Sequence, residues 1–282
     1  MAGSVLPFSQ ELGGREPGVR SPLPAPGRRM VYDKLKLDGK VALVTGGGRG
    51  LGKAMAKALA EAGADVAVLS RTAREIEETA REIIGMGRRA LPLPADVLQV
   101  QEIERAVHKI LEELGQIDIL VNNSGMTVVK PILDLTLEEW NQVLHTNLTG
   151  VFIVSKMVGR HMVERRQGKI INMASVAGVR GITTLAAYAA SKAGVIHLTR
   201  CMAAEWVKYN IRVNAIAPGY FYTSMSARGL DSEKVREAIL SKIPLRRVGQ
   251  PEELGPLVVY LASEASDFMT GETVFIDGGQ SI

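Results

Sequence analysis

The sequence predicts a doubly wound α/β fold, in which helices cover both faces of a parallel sheet of about seven strands. Three observations support this class. Short apolar runs recur along the chain, with the continuous Val, Ile, Leu and Ala content of strands buried on both faces. Longer segments of helical period separate them, and a glycine-rich turn directly follows the first run. The alternation starts at Lys40 and contains neither a linker nor an internal repeat, so we expect a single domain.

Seven apolar runs are predicted as strands, and three of the intervening segments are predicted as helices. The strands span residues 41–45, 65–70, 90–95, 117–122, 169–173, 212–217 and 273–276. The helices span residues 53–62, 73–86 and 100–114. In a sheet of this class, ligands bind outside the carboxyl ends of the strands. The residues that follow each run are therefore the first candidates for function.

The composition excludes several classes of protein. The 282 residues are 46% hydrophobic and 23% charged, which is typical of a globular protein and not of a disordered or coiled-coil one. No apolar stretch approaches the roughly 18 residues of a membrane-spanning helix. The single cysteine, Cys201, cannot form an internal disulfide, so we expect a reducing, cytoplasmic setting. We interpret Cys201 as a small packed hydrophobe.

Residues 1–30 differ from the rest of the chain. They contain five of the twelve prolines and five glycines, lack apolar periodicity, and carry half of the formal net charge of +4. We expect a disordered tail, followed by one domain over residues 31–282. Two hypotheses stay open: the tail belongs to the native protein, or Met30 is the physiological start. The remaining charges are nearly balanced, which argues against a nucleic-acid partner.

The glycine-rich turn carries the first sign of a ligand. It leads into a helical segment and reads Thr45-Gly46-Gly47-Gly48-Arg49-Gly50-Leu51-Gly52. Glycines let the backbone approach a pyrophosphate, and the helix N-terminus supplies N–H donors and a positive dipole. Because the turn lies between a strand and a helix, it indicates a Rossmann-type dinucleotide site.

The end of the second strand distinguishes between the two nicotinamide dinucleotides. NAD-binding folds have an acidic residue there for the ribose 2′-hydroxyl, whereas this chain has Ser70 and Arg71. These residues suit a 2′-phosphate, with Arg49 approaching from the glycine turn. We predict NADP(H) as the cofactor. The alternative is that both arginines are ordinary surface charges.

A second group of residues is suited to acid/base chemistry. Tyr188 and Lys192 lie four residues apart in a helical segment, and therefore on one face. One ammonium about 4 Å away supplies roughly the 4 kcal/mol needed to lower a tyrosine pKa by about three units from its free value near 10. Such a pair is common on solvated helices. Ser175, which closes the fifth strand, adds a hydroxyl that can hydrogen-bond a substrate carbonyl oxygen. Asn147 adds an amide, and the alternative for such a residue is a helix-surface position or a hydrogen bond to the local backbone.

Together these motifs resemble the classical short-chain dehydrogenases/reductases, from about residue 37 to residue 279. The match comprises the turn at 45–52, Asp96-Val97, Asn122-Asn123-Ser124-Gly125, Asn147, Ser175, Tyr188, Lys192 and Pro218-Gly219. Ser124 departs from the family, which usually has alanine there. The resemblance implies hydride transfer between NADP(H) and a ketone or secondary alcohol.

The resemblance also implies a role for each matching residue. Tyr188 would be the acid/base, Lys192 would bind the nicotinamide ribose and lower the Tyr188 pKa, Ser175 would orient the carbonyl, and Asn147 would hold a relay water. Asp96 and Val97 would flank the adenine, Asn123 and Gly125 the adenosine side, and residues 218–223 the nicotinamide carboxamide. The expected cofactor contacts are thus Gly46, Gly48, Arg49, Gly50, Leu51, Gly52, Ser70, Arg71, Asp96, Val97, Asn123, Gly125, Tyr188, Lys192, Pro218, Gly219, Phe221 and Thr223.

The substrate is less well defined. Residues 217–225 and 265–268 resemble gluconate 5-dehydrogenases, so a sugar acid or polyol is the first prediction. Residues 244–247 and 271–273 are also similar to 3-oxoacyl-(acyl-carrier-protein) reductases, which is the alternative. Arg180 and Arg228, in the predicted cleft segments 176–184 and 220–230, are candidates for binding a substrate carboxylate or an acidic carrier protein, or are surface charges. Arg165-Arg166 is predicted to be an exposed basic pair.

Other functions have less support. A non-catalytic NADP(H)-binding sensor on the same fold has no need of all four catalytic groups. The four histidines lack metal-ligand spacing, so no metal site is expected at His108, His145, His161 or His197. From the resemblance we expect a homotetramer acting on a small-molecule ketone or alcohol, or on an acyl-carrier-protein thioester. The hydropathy and the charge balance predict neither a membrane nor a nucleic acid as partner.

Overall fold

Strands and helices alternate along the chain from Val41 to Ile276. The computed structural model describes residues 30–223 and 233–282. The strands are β1 (Val41–Thr45), β2 (Asp65–Ser70), β3 (Ala90–Pro94), β4 (Ile119–Asn122), β5 (Gly168–Met173), β6 (Ile211–Pro218) and β7 (Thr273–Ile276). The α-helices are α1 (Gly50–Glu61), α2 (Ala73–Gly85), α3 (Val100–Leu114), α4 (Leu137–Leu144), α5 (Gly150–Arg165), α6 (Ala186–Trp206), α7 (Glu233–Leu240) and α8 (Gly255–Ala262). The expectations for residues 1–29 and for Arg228 lie outside the described residues.

The strands pair in parallel in one sheet, in the order β3-β2-β1-β4-β5-β6-β7. The predicted doubly wound α/β fold is therefore confirmed. After β1 the chain adds β2 and β3 on one side, and then returns to add β4 on the other side of β1. Ligands bind in the crevice at such a reversal, outside the carboxyl ends of the strands. The glycine-rich turn follows β1 at this point.

Both faces of the sheet are buried, which explains the continuous apolar runs of the strands. In β1, Val41 and Leu43 belong to an apolar cluster that includes residues of α3, α5 and α6. Ala42 and Val44 belong to a second cluster, which includes residues of α1, α2 and α8. Two apolar layers thus hold the sheet rigid beneath the ends of its strands. Residues 31–282 form one compact unit, and no helix in the described ranges is long and apolar enough to cross a membrane.

Two predictions about side chains are wrong. Cys201 is exposed, because α6 turns the neighbouring Met202 and Ala203 toward the core instead. Arg165 is not part of a free basic pair: its guanidinium lies 3.2 Å from Oδ1 of Asp118, a buried carboxylate at the start of β4. Burying Asp118 without a cation would be costly, so Arg165 is held by the fold. Arg166 donates to the Lys208 carbonyl at 2.9 Å.

Candidate active site

The glycine-rich turn has no room for side chains. A Cβ on Gly52 would lie 2.2 Å from the carbonyl oxygen of Gly46, and one on Gly48 would lie 2.8 Å from Cβ of Glu75. Gly46 and Gly50 also have positive φ angles, 63° and 53°, which favour glycine. The backbone is therefore left bare where α1 begins, as close approach of a pyrophosphate requires. The residues present fit a dinucleotide.

Thr45 and Asn123 join this turn to the end of β4. The Thr45 hydroxyl oxygen accepts hydrogen bonds from the main-chain N–H groups of Asn123, at 3.0 Å, and Ser124, at 3.1 Å. The Asn123 amide donates to the carbonyls of Thr45 and Gly46, each at 3.1 Å. Asn123, expected to contact the adenosine, thus uses its amide to hold the turn. The role of Thr45 was missed, although its position before the turn is the signal that could have found it.

Of the predicted 2′-phosphate residues, Ser70 ends β2 and Arg71 follows it, whereas Arg49 lies in the turn between β1 and α1. The side chains of Arg71 and Arg49 are 77% and 70% exposed. Each has a weak anionic neighbour, since Arg71 lies 3.9 Å from Oδ2 of Asp96 and Arg49 lies 3.4 Å from Oε1 of Glu75. Such exposed contacts contribute little free energy and leave both cations available. An open cleft of about 530 Å³ adjoins Arg71 and is also lined by Asp96 and residues of α3.

Ser175, Tyr188 and Lys192 meet beyond the carboxyl end of β5. Ser175 lies two residues after β5 and is not its last residue, and its side chain hydrogen-bonds that of Tyr188. Lys192 is 4% exposed, and its Nζ donates to the Met173 carbonyl at 2.6 Å. The same Nζ lies 5.6 Å from the centroid of the Tyr188 ring. The predicted four-residue spacing thus brings both side chains to one face of α6.

Burial dominates the electrostatics of this pair. It raises the pKa of Tyr188 above its ordinary value, and the hydrogen bond from Ser175 opposes that shift. Burial also lowers the pKa of Lys192 to about 8. From the sequence we expected Lys192 to lower the Tyr188 pKa. The difference arises because the phenol is desolvated and the ammonium is directed at the Met173 carbonyl, not at the phenol oxygen.

Asn147 lies in a π-helical turn, His145–Thr149, between α4 and α5. It is fully buried, and its Oδ1 accepts from the N–H of Met126 at 2.8 Å. Its Nδ2 donates to the Met126 carbonyl at 2.9 Å and to the Ser191 hydroxyl at 3.0 Å. The amide expected to hold a relay water is therefore engaged within the protein. It anchors the loop after β4 to the helix that carries Tyr188 and Lys192.

The remaining predicted residues flank these groups. A Cβ on Gly125 would lie 3.3 Å from Oδ1 of Asn147, and one on Gly50 would lie 3.6 Å from Cγ2 of Thr223. The turn, the loop after β4 and the segment after β6 therefore converge. Phe221 differs from expectation: it is 6% exposed and its side chain belongs to the core, so its ring is not presented to a cofactor. Val97 is also buried, whereas Leu51 is half-buried and packs against the same core as Phe221.

Thr184, four residues before Tyr188, was not predicted to be special. Its φ is 66°, a left-handed conformation that is uncommon for a β-branched residue. The Thr184 carbonyl accepts from the Lys130 N–H at 3.0 Å, which ties the segment before α6 to the segment after β4. Backbone strain of this kind occurs at ligand-binding sites. Thr184 lies four residues before Tyr188, at the edge of the group formed by Ser175, Tyr188 and Lys192.

The chain matches a family model described as enoyl-(acyl carrier protein) reductase over residues 46–281. It is 40% identical to a 3-oxoacyl-(acyl-carrier-protein) reductase of Thermotoga maritima, over 87% of this chain and 99% of the relative. It is also 40% identical to a 5-keto-D-gluconate 5-reductase of Escherichia coli, over 89% of this chain and 98% of the relative.

Among solved structures, it resembles a gluconate 5-dehydrogenase of Burkholderia cenocepacia in complex with NADP and tartrate. The TM-score is 0.86 and the identity 38%, over 89% of this chain and 99% of that one. The match of family model and relatives over almost the whole described domain agrees with the glycine cradle and the Ser-Tyr-Lys group. The chain belongs to the short-chain dehydrogenase/reductase family of oxidoreductases.

Proposed function

We propose that this protein uses NADP(H) to interconvert a ketone and a secondary alcohol, with a sugar acid as the preferred substrate. One observation carries the reaction: Tyr188 is hydrogen-bonded to Ser175, and its ring centroid lies 5.6 Å from the buried Nζ of Lys192, in a site that also has a bare glycine turn after β1. A bound nicotinamide supplies or accepts the hydride. The protein's own groups then need only hold one oxygen and move one proton.

Each catalytic side chain has a separate task in this proposal. Ser175 donates a hydrogen bond to the substrate oxygen, and stabilises the negative charge that develops there during reduction. Tyr188 gives its proton to that oxygen, and takes one from the alcohol in the reverse direction. Lys192 would bind the nicotinamide ribose from a fixed position, since its Nζ donates to the Met173 carbonyl. Asn147 positions the loop at Met126 against this group through three hydrogen bonds.

The cofactor would be held by the glycine turn and the two exposed arginines. A dinucleotide pyrophosphate fits the bare backbone at Gly46–Gly52, and a 2′-phosphate suits Arg71 and Arg49. No carboxylate ends β2, whose last residue is Ser70. The complex of the Burkholderia relative with NADP supports the same choice. We expect kcat/KM with NADPH to exceed that with NADH at least tenfold.

The substrate prediction draws on the relatives. Several that are about 40% identical act on keto or hydroxy derivatives of gluconate by their names, and the Burkholderia relative binds tartrate, a hydroxy acid. A second candidate is 3-oxoacyl-(acyl-carrier-protein) reduction, which the Thermotoga relative favours at the same identity. We further propose a homotetramer in the cytoplasm, which static light scattering and localisation of a tagged chain would test.

An NADPH-oxidation assay tests this function. The panel comprises 5-keto-D-gluconate, an acetoacetyl thioester of acyl carrier protein, and a neutral diketone. The first proposal predicts the highest kcat/KM with 5-keto-D-gluconate. A higher value with the thioester would select the second candidate. Tight NADPH binding without turnover of any ketone would instead indicate a sensor.

A further inference from the structure

Arg180 lies along the chain between two of the proposed catalytic residues, Ser175 and Tyr188. It follows Ser175 by five residues and precedes Tyr188 by eight. Its main-chain N–H donates to the Val176 carbonyl at 3.0 Å, which fixes the backbone of the turn that begins beside Ser175. Arg180 is exposed as a residue, yet the contact made by its guanidinium is partly buried. The Arg180 cation thus projects from the short segment that begins at Ser175.

The guanidinium is oriented by residues 277–282, which form a closed turn. One of its terminal nitrogens donates to the main-chain carbonyl of Gln280. The turn is held by the Asp277 carboxylate, which accepts from the N–H groups of Gly279, at 2.9 Å, and Ser281, at 2.7 Å. A carbonyl fixed in this way sets the direction of the Arg180 side chain.

The same turn contacts the segment assigned to the nicotinamide. Gln280 is 5% exposed, and a Cβ on Gly219 would lie 2.8 Å from its Oε1. That Oε1 is buried without a hydrogen-bond partner among the described residues. Gln280 therefore links Arg180 to the segment after β6. These segments flank the position of a substrate oxygen bound by Ser175.

We propose that Arg180 binds the carboxylate of the substrate and that the Gln280 carbonyl positions it; this rests on the proposed function. In the part of the chain that the structure describes, no carboxylate forms an ion pair with Arg180. The planar guanidinium uses one nitrogen on Gln280 and keeps other donors for a bidentate pair with a carboxylate. The alternative is that Arg180 only anchors residues 277–282.

Two substrates that differ only in the carboxylate separate these roles. L-Sorbose has a hydroxymethyl group where 5-keto-D-gluconate has its carboxylate. For Arg180→Met, we expect kcat/KM for 5-keto-D-gluconate to fall about 30- to 100-fold, chiefly through KM, because a charge-assisted pair is lost. The value for L-sorbose and the Kd for NADPH should change less than about threefold. Arg166→Met is the matched control, since Arg166 also donates to a main-chain carbonyl, that of Lys208.

A second variant keeps the cation and removes the planar fork. Arg180→Lys should raise KM for 5-keto-D-gluconate roughly tenfold and leave L-sorbose unaffected. Equal losses on both substrates would show that Arg180 only anchors the turn and would overturn the proposal, as would an unchanged KM for 5-keto-D-gluconate. A wild type that reduces a neutral diketone but does not prefer the carboxylate would overturn this inference and leave ketone reduction intact. A wild type inactive with every ketone would overturn the proposed function and this inference together.

Discussion

Replacing Gly52 by alanine should dismantle the dinucleotide cradle. The new Cβ would lie 2.2 Å from the Gly46 carbonyl oxygen and 2.4 Å from Nδ2 of Asn123. The collision breaks the hydrogen bonds from that amide to Thr45 and Gly46, worth about 1 kcal/mol each. Overpacking adds about 2 kcal/mol, and alanine returns about 1 kcal/mol of helix propensity. We expect the free energy of unfolding to fall by about 3 kcal/mol.

NADPH binding should fall further than stability, because the displaced turn carries the N–H groups that would face the pyrophosphate in the proposed complex. By fluorescence titration, the Kd for NADPH should rise at least about 100-fold at a temperature where urea denaturation shows the variant folded. Gly85→Ala is the matched control. Its Cβ would have nothing within 4 Å, so NADPH binding should match wild type. If Gly52→Ala bound NADPH as tightly as Gly85→Ala does, this turn would not be the cofactor site.

Three further predictions concern single side chains. Glu75→Gln removes the anion 3.4 Å from Arg49, so titration should show about threefold tighter NADPH binding and unchanged NADH binding; equal changes for both would contradict the 2′-phosphate role. Asn147→Asp cannot donate to the Met126 carbonyl or to Ser191, and should lose about 3 kcal/mol in urea denaturation, whereas the exposed Asn141→Asp should lose little. Lys192→Met should abolish turnover yet raise the free energy of unfolding at pH 7 by about 2 kcal/mol. Burial lowers the pKa of Lys192 from 10.5 to about 8, which destabilises the folded wild type by about 3 kcal/mol, and the hydrogen bond to the Met173 carbonyl offsets about 1 kcal/mol of that cost. Because Lys192 has the higher pKa in the unfolded chain, the free energy of unfolding of wild type should rise between pH 8 and pH 10.5, and the stability difference between Lys192→Met and wild type should disappear. A stability difference that does not change with pH would contradict the burial argument.

Local patterns were sufficient for the strands and for the shared helix face of Tyr188 and Lys192, whereas their catalytic roles were inferred from the family resemblance. A strand buried on both faces, such as β1, has a continuous apolar run that no surface element shares. Tyr188 and Lys192 share a face of α6 because helical geometry brings residues four apart together. Ser175 follows from the rule that function lies beyond the strand ends. Each of these inferences uses only neighbours along the chain.

The features that were missed depend on distant contacts. Nothing local indicates that Arg165 meets Asp118, because the two come from α5 and the start of β4. The exposure of Cys201 depends on which face of α6 packs against the sheet, and that helix is apolar on most sides. Asn147 is buried by a π-helical turn that closes between Gly150 and His145. The left-handed Thr184 likewise depends on its bond to Lys130.

The central claim is that Tyr188 transfers the proton while the cofactor site works independently of it. The direct measurement is kcat for 5-keto-D-gluconate reduction by Tyr188→Phe, with the NADPH Kd measured on the same sample and Tyr209→Phe as control. We predict a kcat below about 1% of wild type, a Kd within about twofold of wild type, and an unaffected control. A Tyr188→Phe variant that kept more than about 5% of wild-type kcat would contradict the account.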